Sequence, residues 1–230
     1  MQIKRNIIQG SDEWLEIKKG VASCSNFGKI LTPKTEKQSA TLEKYAKQLA
    51  IELAYVNTKA GFKSFAMEAG NELEPEARQA YQEENLVKVE EVGIILSDCG
   101  NYGYSPDGII GEDGLIEIKC LEANAHSDFF LKDYKEMPTD YKCQVQGGLW
   151  ISERKWCDFV VYNKEIKDPS KQLIIIRVLR DEAFIEKLKE GVEKTIKFRD
   201  EFLSKICHKE EFYKKQEIVE EEIIDYTAGG

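Results

Sequence analysis

The hydrophobic period of the chain changes twice along its length, and this pattern constrains the possible folds more than any other feature. Within residues 1–85, apolar side chains recur at helical spacing, most clearly at Leu42, Tyr45, Leu49 and Leu53. Residues 90–180 instead show strand-like alternation between turn signals, and residues 181–206 return to helical spacing behind Asp181, which can cap a helix. This order of segments predicts an α/β domain in which helices flank a central mixed β-sheet.

Local signals place the individual elements within this pattern. Ser11 caps a short helix, Ser25 begins a second one, and Pro75 interrupts a longer helix over residues 65–84. Two further helices are predicted over residues 40–56 and 138–150. The predicted strands cover residues 92–96, 102–110, 115–120, 155–162 and 172–179. The N-terminal third is therefore predicted to be helical.

No internal repeat and no linker rich in Gly, Ser or Pro divides the chain, so residues 1–230 are predicted to form one domain. Its parts are a helical N-terminal part (1–85), a catalytic sheet core (90–180), a C-terminal helix (181–206) and an acidic tail (207–230). The formal net charge of -9 argues against a protein that coats nucleic acid. An enzyme with a local basic groove remains compatible with this charge, because salt screens charges beyond about 10 Å.

Composition also bears on compartment and on soft-metal sites. No apolar run approaches the roughly 20 residues that cross a bilayer, and the N-terminus has no hydrophobic signal region, so we expect a cytoplasmic protein without a membrane partner. The cysteines stand singly, without a C-x-x-C pair, and are expected to be buried, reduced thiols rather than zinc or iron–sulfur ligands. They are Cys24, Cys99, Cys120, Cys143, Cys157 and Cys207.

The segment 105–120 carries the clearest chemical signal. Along its last strand, side chains alternate, so Glu117 and Lys119 share one face while the opposite face is apolar. A Ser-Pro-Asp-Gly turn brings Asp107 from the neighbouring strand towards this face. Taken alone, the stretch fits two readings about equally well. It is either a structural turn beside a solvated strand face or a site that binds a metal ion.

In the metal-binding reading, Asp107, Glu117 and the backbone carbonyl of Ile118 supply oxygen ligands to Mg²⁺. Hard cations prefer such ligands, and Mg²⁺ usually takes one or two protein carboxylates. Lys119 then orients or activates a water molecule and offsets charge on the reacting phosphate. Mn²⁺ is expected to substitute for Mg²⁺ at an all-oxygen site.

The pattern Asp107 with Glu117-Ile118-Lys119 resembles the motif of the PD-(D/E)xK nuclease superfamily. Three further blocks occur in the order seen in the family of lambda exonuclease and the YqaJ-like viral recombinases, and the resemblance covers residues from about 9 to 160. These blocks are Gln9-Gly10-Ser11-Asp12-Glu13-Trp14 with the residues up to Ser25, Gly70 to Arg78, and Tyr141-Lys142-Cys143-Gln144-Val145-Gln146. The resemblance implies a restriction-endonuclease-like core.

The resemblance also implies roles for the matching residues. Glu74 would be a further metal-site carboxylate, although an ion pair with Arg78 one helical turn away would equally explain its position. Gln146 would bind near the attacking water or the scissile phosphate, with Gln144 and Tyr141 in support.

A second group of matching residues would bind the DNA end. Lys18 occupies the position of an arginine that binds the terminal 5′-phosphate of DNA. This substitution weakens the expected selection, because lysine lacks the bidentate fork of arginine. Ser25 would donate a hydrogen bond to phosphate, or would simply cap a helix.

The family resemblance implies a magnesium-dependent exonuclease that digests double-stranded DNA 5′ to 3′. Such an enzyme would leave a 3′ single strand for an annealing protein, assemble as a ring-shaped homotrimer and act in the cytoplasm of a bacterial host as a phage or prophage protein. Three alternatives stay open. They are a RecB-like nuclease of different polarity, a sequence-specific endonuclease, and an inactive DNA-binding module of the same fold.

Overall fold

The computed structural model describes residues 1–56 and 65–207, with the backbone alone for residues 65–72. Almost all of the predicted acidic tail, residues 208–230, lies outside the described residues. Six α-helices occur in the described part: α1 (Asp12–Ile17), α2 (Leu42–Ala54), α3 (Phe65–Asn85), α4 (Ala123–Leu131), α5 (Lys142–Ser152) and α6 (Glu182–Ile206). Three 3-10 helices cover Cys24–Lys29, Thr139–Tyr141 and Pro169–Lys171.

Ten short strands accompany these helices. They are β1 (Gln2–Lys4), β2 (Ala22–Ser23), β3 (Leu31–Thr32), β4 (Lys37–Gln38), β5 (Ile94–Leu96), β6 (Tyr102–Tyr104), β7 (Gly108–Ile110), β8 (Gly114–Cys120), β9 (Trp156–Tyr162) and β10 (Leu173–Leu179). One four-stranded sheet has the order β1-β5-β6-β2, and a second has the order β10-β9-β8-β7. Strands β3 and β4 form a separate pair.

The second sheet is mixed, because β8 pairs parallel to β9 while β7–β8 and β9–β10 pair antiparallel. Its two faces are covered by different helices. On one face Ile116 and Ile118 pack with Ala77 of α3, and on the other Leu115 packs with Val145 of α5. The predicted α/β class, with helices flanking a mixed sheet, is therefore confirmed.

The chain passes from one sheet to the other between β6 and β7. Residues 105–107 make this connection, so the predicted strand over residues 102–110 is in fact two strands in two different sheets. Asp107 is the last residue before β7, next to the point where the β7–β8 pairing ends at Gly108 and Ile116. The crossing therefore sets Asp107 at the end of a sheet ladder.

A buried polar cluster anchors α3 to the second sheet. Asp158 on β9 is 1% exposed and accepts a hydrogen bond of 2.6 Å from the hydroxyl of Tyr81 on α3. The guanidinium of Arg177 on β10 donates to both oxygens of the same carboxylate, at 2.8 Å each. These charge-assisted bonds compensate for the desolvation of Asp158, and they fix the helix that carries Glu74.

Most predicted elements occur within two or three residues of their expected ends. Ser11 caps α1, where its hydroxyl accepts from the amide of Trp14, and Asp181 caps α6, where its carboxylate accepts from the amide of Phe184. The helix predicted to begin at Ser25 begins instead at Cys24, is a 3-10 helix and ends at Lys29. Helix α4 and strand β1 were not predicted.

The prediction of a helical N-terminal third was incomplete, since this part also holds β1 to β4. Three of these strands have two residues each and one has three, too short for a period-two pattern to be visible in sequence. Among the described residues, no helix is long and apolar enough to cross a membrane. Of the six cysteines, Cys24, Cys143 and Cys157 are buried as expected, whereas Cys99 is exposed.

Two glycines allow α5 to approach neighbouring aromatic rings closely. A Cβ atom added to Gly147 would lie 2.6 Å from a ring carbon of Phe27, and one added to Gly148 would lie 2.7 Å from a ring carbon of Tyr104. Both distances are shorter than van der Waals contact, so α5 can occupy this position because these residues lack side chains.

We expect Gly148→Ala to lower the free energy of unfolding by about 1–3 kcal/mol, because the added methyl group overpacks the contact with Tyr104. This loss should exceed the gain of up to about 1 kcal/mol that alanine brings as a better helix former. Urea denaturation measures the difference. The matched control is Gly28→Ala, where a Cβ would meet nothing within 4 Å among the described residues. Equal stability of the two variants would show that α5 can shift without cost.

Candidate active site

The site is built on strand β8, whose alternation sets Glu117 and Lys119 on the same face. Glu117 is 1% exposed, which excludes the reading of this stretch as a solvated strand face. The ammonium of Lys119 donates to Oε1 of Glu117 at 2.6 Å. Burial lowers the pKa of Lys119, but the charges of Glu117 and Asp107 outweigh it and leave this pKa raised.

The buried carboxylate of Glu117 is held by donors from three different elements. Tyr104 of β6 donates its hydroxyl to Oε2 at 2.7 Å, while Lys119 of β8 and Gln144 of α5 both donate to Oε1. A carboxylate offers about four lone-pair positions. Three donors therefore leave about one position of Glu117 for a cation.

Asp107 meets β8 just beyond the end of the β7 pairing. Its Oδ2 accepts a hydrogen bond of 2.6 Å from the backbone amide of Ile118. Since the N–H and C=O of one residue in a strand leave on the same side, the Ile118 carbonyl also faces the edge where Asp107 lies. Burial and the charge of Glu117 raise the pKa of Asp107 well above its ordinary value, so two carboxylates of like charge adjoin each other without full compensation.

Glu74 approaches the same region from α3 but is engaged by Arg78. The guanidinium of Arg78 forms an ion pair with Glu74, donates to the backbone carbonyl of Asp107 at 2.9 Å and pairs with Glu91 at 2.9 Å. Burial raises the pKa of Glu74, Arg78 lowers it, and Glu117 raises it further. The structure thus shows the ion pair with Arg78, and the role of Glu74 as a metal ligand stays a prediction.

The oxygen atoms gathered here suit a hard cation. Asp107 and Glu117 supply carboxylates, and Ile118 supplies a backbone carbonyl on the same edge. Among the side chains that the structure describes, those of residues 1–56 and 73–207, no group of three or more His, Cys, Asp and Glu is arranged to hold a metal ion. A carboxylate pair completed by a carbonyl and water matches Mg²⁺, which keeps several waters and uses one or two protein carboxylates.

The two glutamines of α5 point in different directions. Gln144 donates to Glu117, whereas Gln146 is 2% exposed and binds backbone groups at the other side of the helix. Residues two positions apart on a helix point about 200° apart, so one helix cannot bring both to the same carboxylate. The structure therefore brings Gln144, and not Gln146, to Glu117. The predicted role of Gln146 near the attacking water or the scissile phosphate stays a prediction.

Tyr141 lies beside the site at the start of α5. The ammonium of Lys119 is 5.5 Å from the centroid of its ring, and the ring packs on Phe159 at a centroid distance of 4.8 Å. Tyr141 thus lies next to Lys119, and its supporting role stays a prediction.

The predicted end-binding residues lie on the N-terminal elements. The ammonium of Lys18 lies 3.8 Å from the centroid of the Trp14 ring. Burial lowers the pKa of Lys18 to about 8, against smaller opposing effects of Cys24 and Glu52. Ser25 is exposed, with its hydroxyl 3.1 Å from that of Ser23. Burial raises the pKa of the Cys24 thiol, the charge of Glu117 raises it further and that of Lys18 lowers it.

Two residues of the site were not predicted as functional. Tyr104 reaches Glu117 from the other sheet, and Arg78 was considered only as an ion-pair partner of Glu74. The Arg78 contact with the Asp107 backbone spans 29 positions of sequence. The sequence signal that could have directed attention to Arg78 is its place at the end of the matching block Gly70 to Arg78. The structure adds that Arg78 is buried, and a buried charge needs partners.

The chain is similar to a known protein family and to solved exonuclease structures. The family model of the YqaJ-like viral recombinase domain matches residues 13–155. The crystal structure of an alkaline exonuclease (LHK-Exo) from Laribacter hongkongensis is 29% identical, with a TM-score of 0.72 over 90% of this chain and 98% of that chain. LHK-Exo in complex with dAMP matches over the same shares at 28% identity and the same TM-score.

A phage related exonuclease from Haemophilus somnus 129PT shares the fold. It is 18% identical, with a TM-score of 0.64 over 81% of this chain and 96% of that chain. No match was found among curated proteins.

We expect Mn²⁺ or Mg²⁺ to raise the melting temperature of the wild-type protein, because a ligand that binds the folded state stabilises it. At 100-fold excess over Kd, the shift should be about 5–10 °C. Asp107→Asn should abolish this shift while leaving the metal-free protein at least as stable, because the substitution removes one of two adjoining like charges. Asp113→Asn is the control, since Asp113 is an exposed carboxylate paired with Lys155. An undiminished metal shift in Asp107→Asn would remove Asp107 from the site.

Proposed function

This chain belongs to the YqaJ-like viral recombinase domain family, and we propose that it is a metal-dependent exonuclease that digests double-stranded DNA from its ends. The observation that carries the proposal is the meeting of Asp107 and Glu117 at the backbone of Ile118, with Lys119 on the same strand face. The likeness to an alkaline exonuclease over nearly the whole of that chain supports the same activity.

In this proposal Asp107, Glu117 and the carbonyl of Ile118 would hold Mg²⁺. Glu74 on α3 would be a further carboxylate of the metal site. The chemistry that a bound Mg²⁺ supplies in such a site is the activation of a water molecule and the polarisation of the phosphodiester. Lys119 would place its ammonium against the scissile phosphate and offset the negative charge that grows there in the transition state.

The residues around Glu117 would orient that carboxylate. Tyr104 and Gln144 each hold one of its two oxygens, so its direction is set before substrate arrives. Preorganised donors of this kind need no rearrangement during the reaction. We therefore assign Gln144, rather than Gln146, to the reacting centre.

The finer features of the activity rest on the family. Digestion 5′ to 3′ would leave a 3′ single strand for a single-strand annealing protein, and Lys18 and Ser25 would bind the terminal 5′-phosphate. A relative has been crystallised with dAMP, and a deoxynucleoside monophosphate is what stepwise release from DNA would yield. We propose that the protein assembles as a ring-shaped homotrimer and works in the cytoplasm of a bacterial host.

Digestion of linear duplexes tests the activity. Wild-type protein with Mg²⁺ should release nucleotides from blunt duplexes and should leave covalently closed ends and metal-free reactions uncut. Lys119→Ala and Glu117→Gln should each lower the rate at least about 10²-fold, because each removes a group that acts in the transition state.

The control for these two variants is Lys155→Ala, which removes an exposed lysine paired with Asp113 and should cleave at the wild-type rate. Circular dichroism confirms that each variant is folded. A folded Lys119→Ala protein that retains more than a tenth of the activity would contradict the assignment of Lys119. Cleavage of closed duplexes would favour the endonuclease reading instead.

The choice of DNA end gives a separate prediction. Duplexes with a 5′-phosphate should be digested about 10-fold faster than those with a 5′-hydroxyl at low salt, the lower end expected for one charge-assisted contact. Because the pKa of Lys18 is about 8, its charge is present below that pH and is lost above it. The preference should therefore weaken as pH rises from 7 to 9.

Two substitutions assign this effect to Lys18. Lys18→Ala should erase the preference, and Lys18→Arg should keep it across the whole pH range, because arginine remains charged. Lys19→Ala provides the comparison, since the Lys19 ammonium already pairs with Glu16. Equal rates on both kinds of end with wild-type protein would show that Lys18 does not sense the end.

A further inference from the structure

Gln146 links α5 to the edge of the second sheet. Strand β10 lies at the edge of this sheet, where it pairs with β9. The carbonyl of Gln172 and the amide of Arg180, at the two ends of β10, form hydrogen bonds with backbone groups of the residues that flank β9. The even-numbered residues of β10 therefore direct their backbone N–H and C=O groups towards β9. The backbone groups of Leu179 and Asp181 therefore face the open edge.

The side chain of Gln146 occupies this edge as a neighbouring strand would. Its Nε2 donates to the carbonyl of Leu179 at 2.8 Å, and its Oε1 accepts from the amide of Asp181 at 2.8 Å. Gln146 itself is 2% exposed, so losing either bond would leave a buried polar atom of its side chain without a partner. An amide group suits this position, because its NH2 donates and its carbonyl oxygen accepts in one plane.

A second contact ties the same junction to the same helix. Arg180, between the two residues that Gln146 binds, donates to the carbonyls of Leu149 and Arg154. Asp181 also caps α6 through its side chain. Helix α5 is thus attached to the junction of β10 and α6 along one side, and its rotation about its own axis is fixed there.

The opposite side of α5 carries Gln144, which meets Glu117. Because the two glutamines point about 200° apart, a rotation of the helix that loosens Gln146 also moves Gln144 away from the carboxylate.

We propose that Gln146 is a positioning residue. Its double hydrogen bond to Leu179 and Asp181 sets the rotation of α5 that brings Gln144 to Glu117. The inference rests on the proposed nuclease function, since the contact between Gln144 and Glu117 matters for catalysis in that setting. It gives the two glutamines of one short motif separate tasks, one at the reacting centre and one at the edge of the sheet.

A double-mutant cycle tests the proposal, with single-turnover cleavage of a 5′-phosphorylated duplex as the readout. Gln146→Met keeps the length of the side chain and removes both hydrogen bonds. We expect it to slow cleavage by about 10-fold or more, since small misplacements of a catalytic group cost rates of this size. Gln144→Ala should cause a similar loss. The cleavage rate of the double variant should be within about 3-fold of the rate of Gln144→Ala, because both substitutions remove the same contact between Gln144 and Glu117.

A merely structural role for Gln146 gives a different result, namely a double variant whose loss is the product of the two single losses. Ser152→Ala is the matched control for stability, since it removes a buried side-chain hydrogen bond from the same helix. It should lower the melting temperature without slowing cleavage. Should Gln146→Met not fold, Gln146→Asn takes its place, because it keeps a neutral amide that is one methylene too short to reach both Leu179 and Asp181.

The outcomes separate the two proposals. A wild-type protein that does not cleave DNA overturns the nuclease function. The role of Gln146 is overturned if the wild-type protein cleaves DNA and the rate loss of the double variant equals the product of the two single losses. It is also overturned if neither glutamine substitution slows cleavage. Both outcomes leave the nuclease function standing.

Discussion

The buried carboxylate of Glu117 is the constraint on which the rest of the structure depends. Removing a carboxylate from water costs several kcal/mol unless donors replace its hydration. Here those donors are Tyr104, Lys119 and Gln144, which come from β6, β8 and α5. One charged group thereby fixes a strand of the first sheet, a strand of the second and a helix relative to one another.

The neighbouring carboxylate adds a second constraint that opposes stability. Asp107 and Glu117 adjoin each other, and the resulting repulsion favours any arrangement that separates them. Two ties hold Asp107 in place: its side chain accepts from the amide of Ile118, and Arg78 binds its backbone carbonyl. Arg78 in turn belongs to α3, which Tyr81 anchors to Asp158. The geometry of the site is thus held by the body of the fold and not by the carboxylates themselves.

Side chains continue the sheet at two places where strand pairing ends. Asp107 binds the amide of Ile118 beyond β7, and Gln146 binds Leu179 and Asp181 at the edge beyond β10. In both cases a polar side chain satisfies backbone groups that a strand has left without a partner, which is necessary once those groups are buried. The first of these contacts lies in the candidate active site, and the second attaches α5 to the opposite edge of the sheet.

The sequence by itself determined the features that depend on neighbouring residues. The alternation in β8 set Glu117 and Lys119 on one face and Ile116 and Ile118 on the other, and Ser11 and Asp181 marked the starts of two helices. Such features follow from local backbone geometry, which a few residues specify.

Only the tertiary structure decided which groups complete the site. The spacing of Gln144 and Gln146 shows that they point apart, but not which of them faces Glu117, because that depends on how α5 packs against β10 and the 3-10 helix at Cys24–Lys29. Tyr104 reaches Glu117 from a different sheet, and Arg78 reaches Asp107 across 29 positions. These contacts join elements far apart in the chain. Their geometry is set by the packing of whole helices and sheets, which no local pattern of residues encodes.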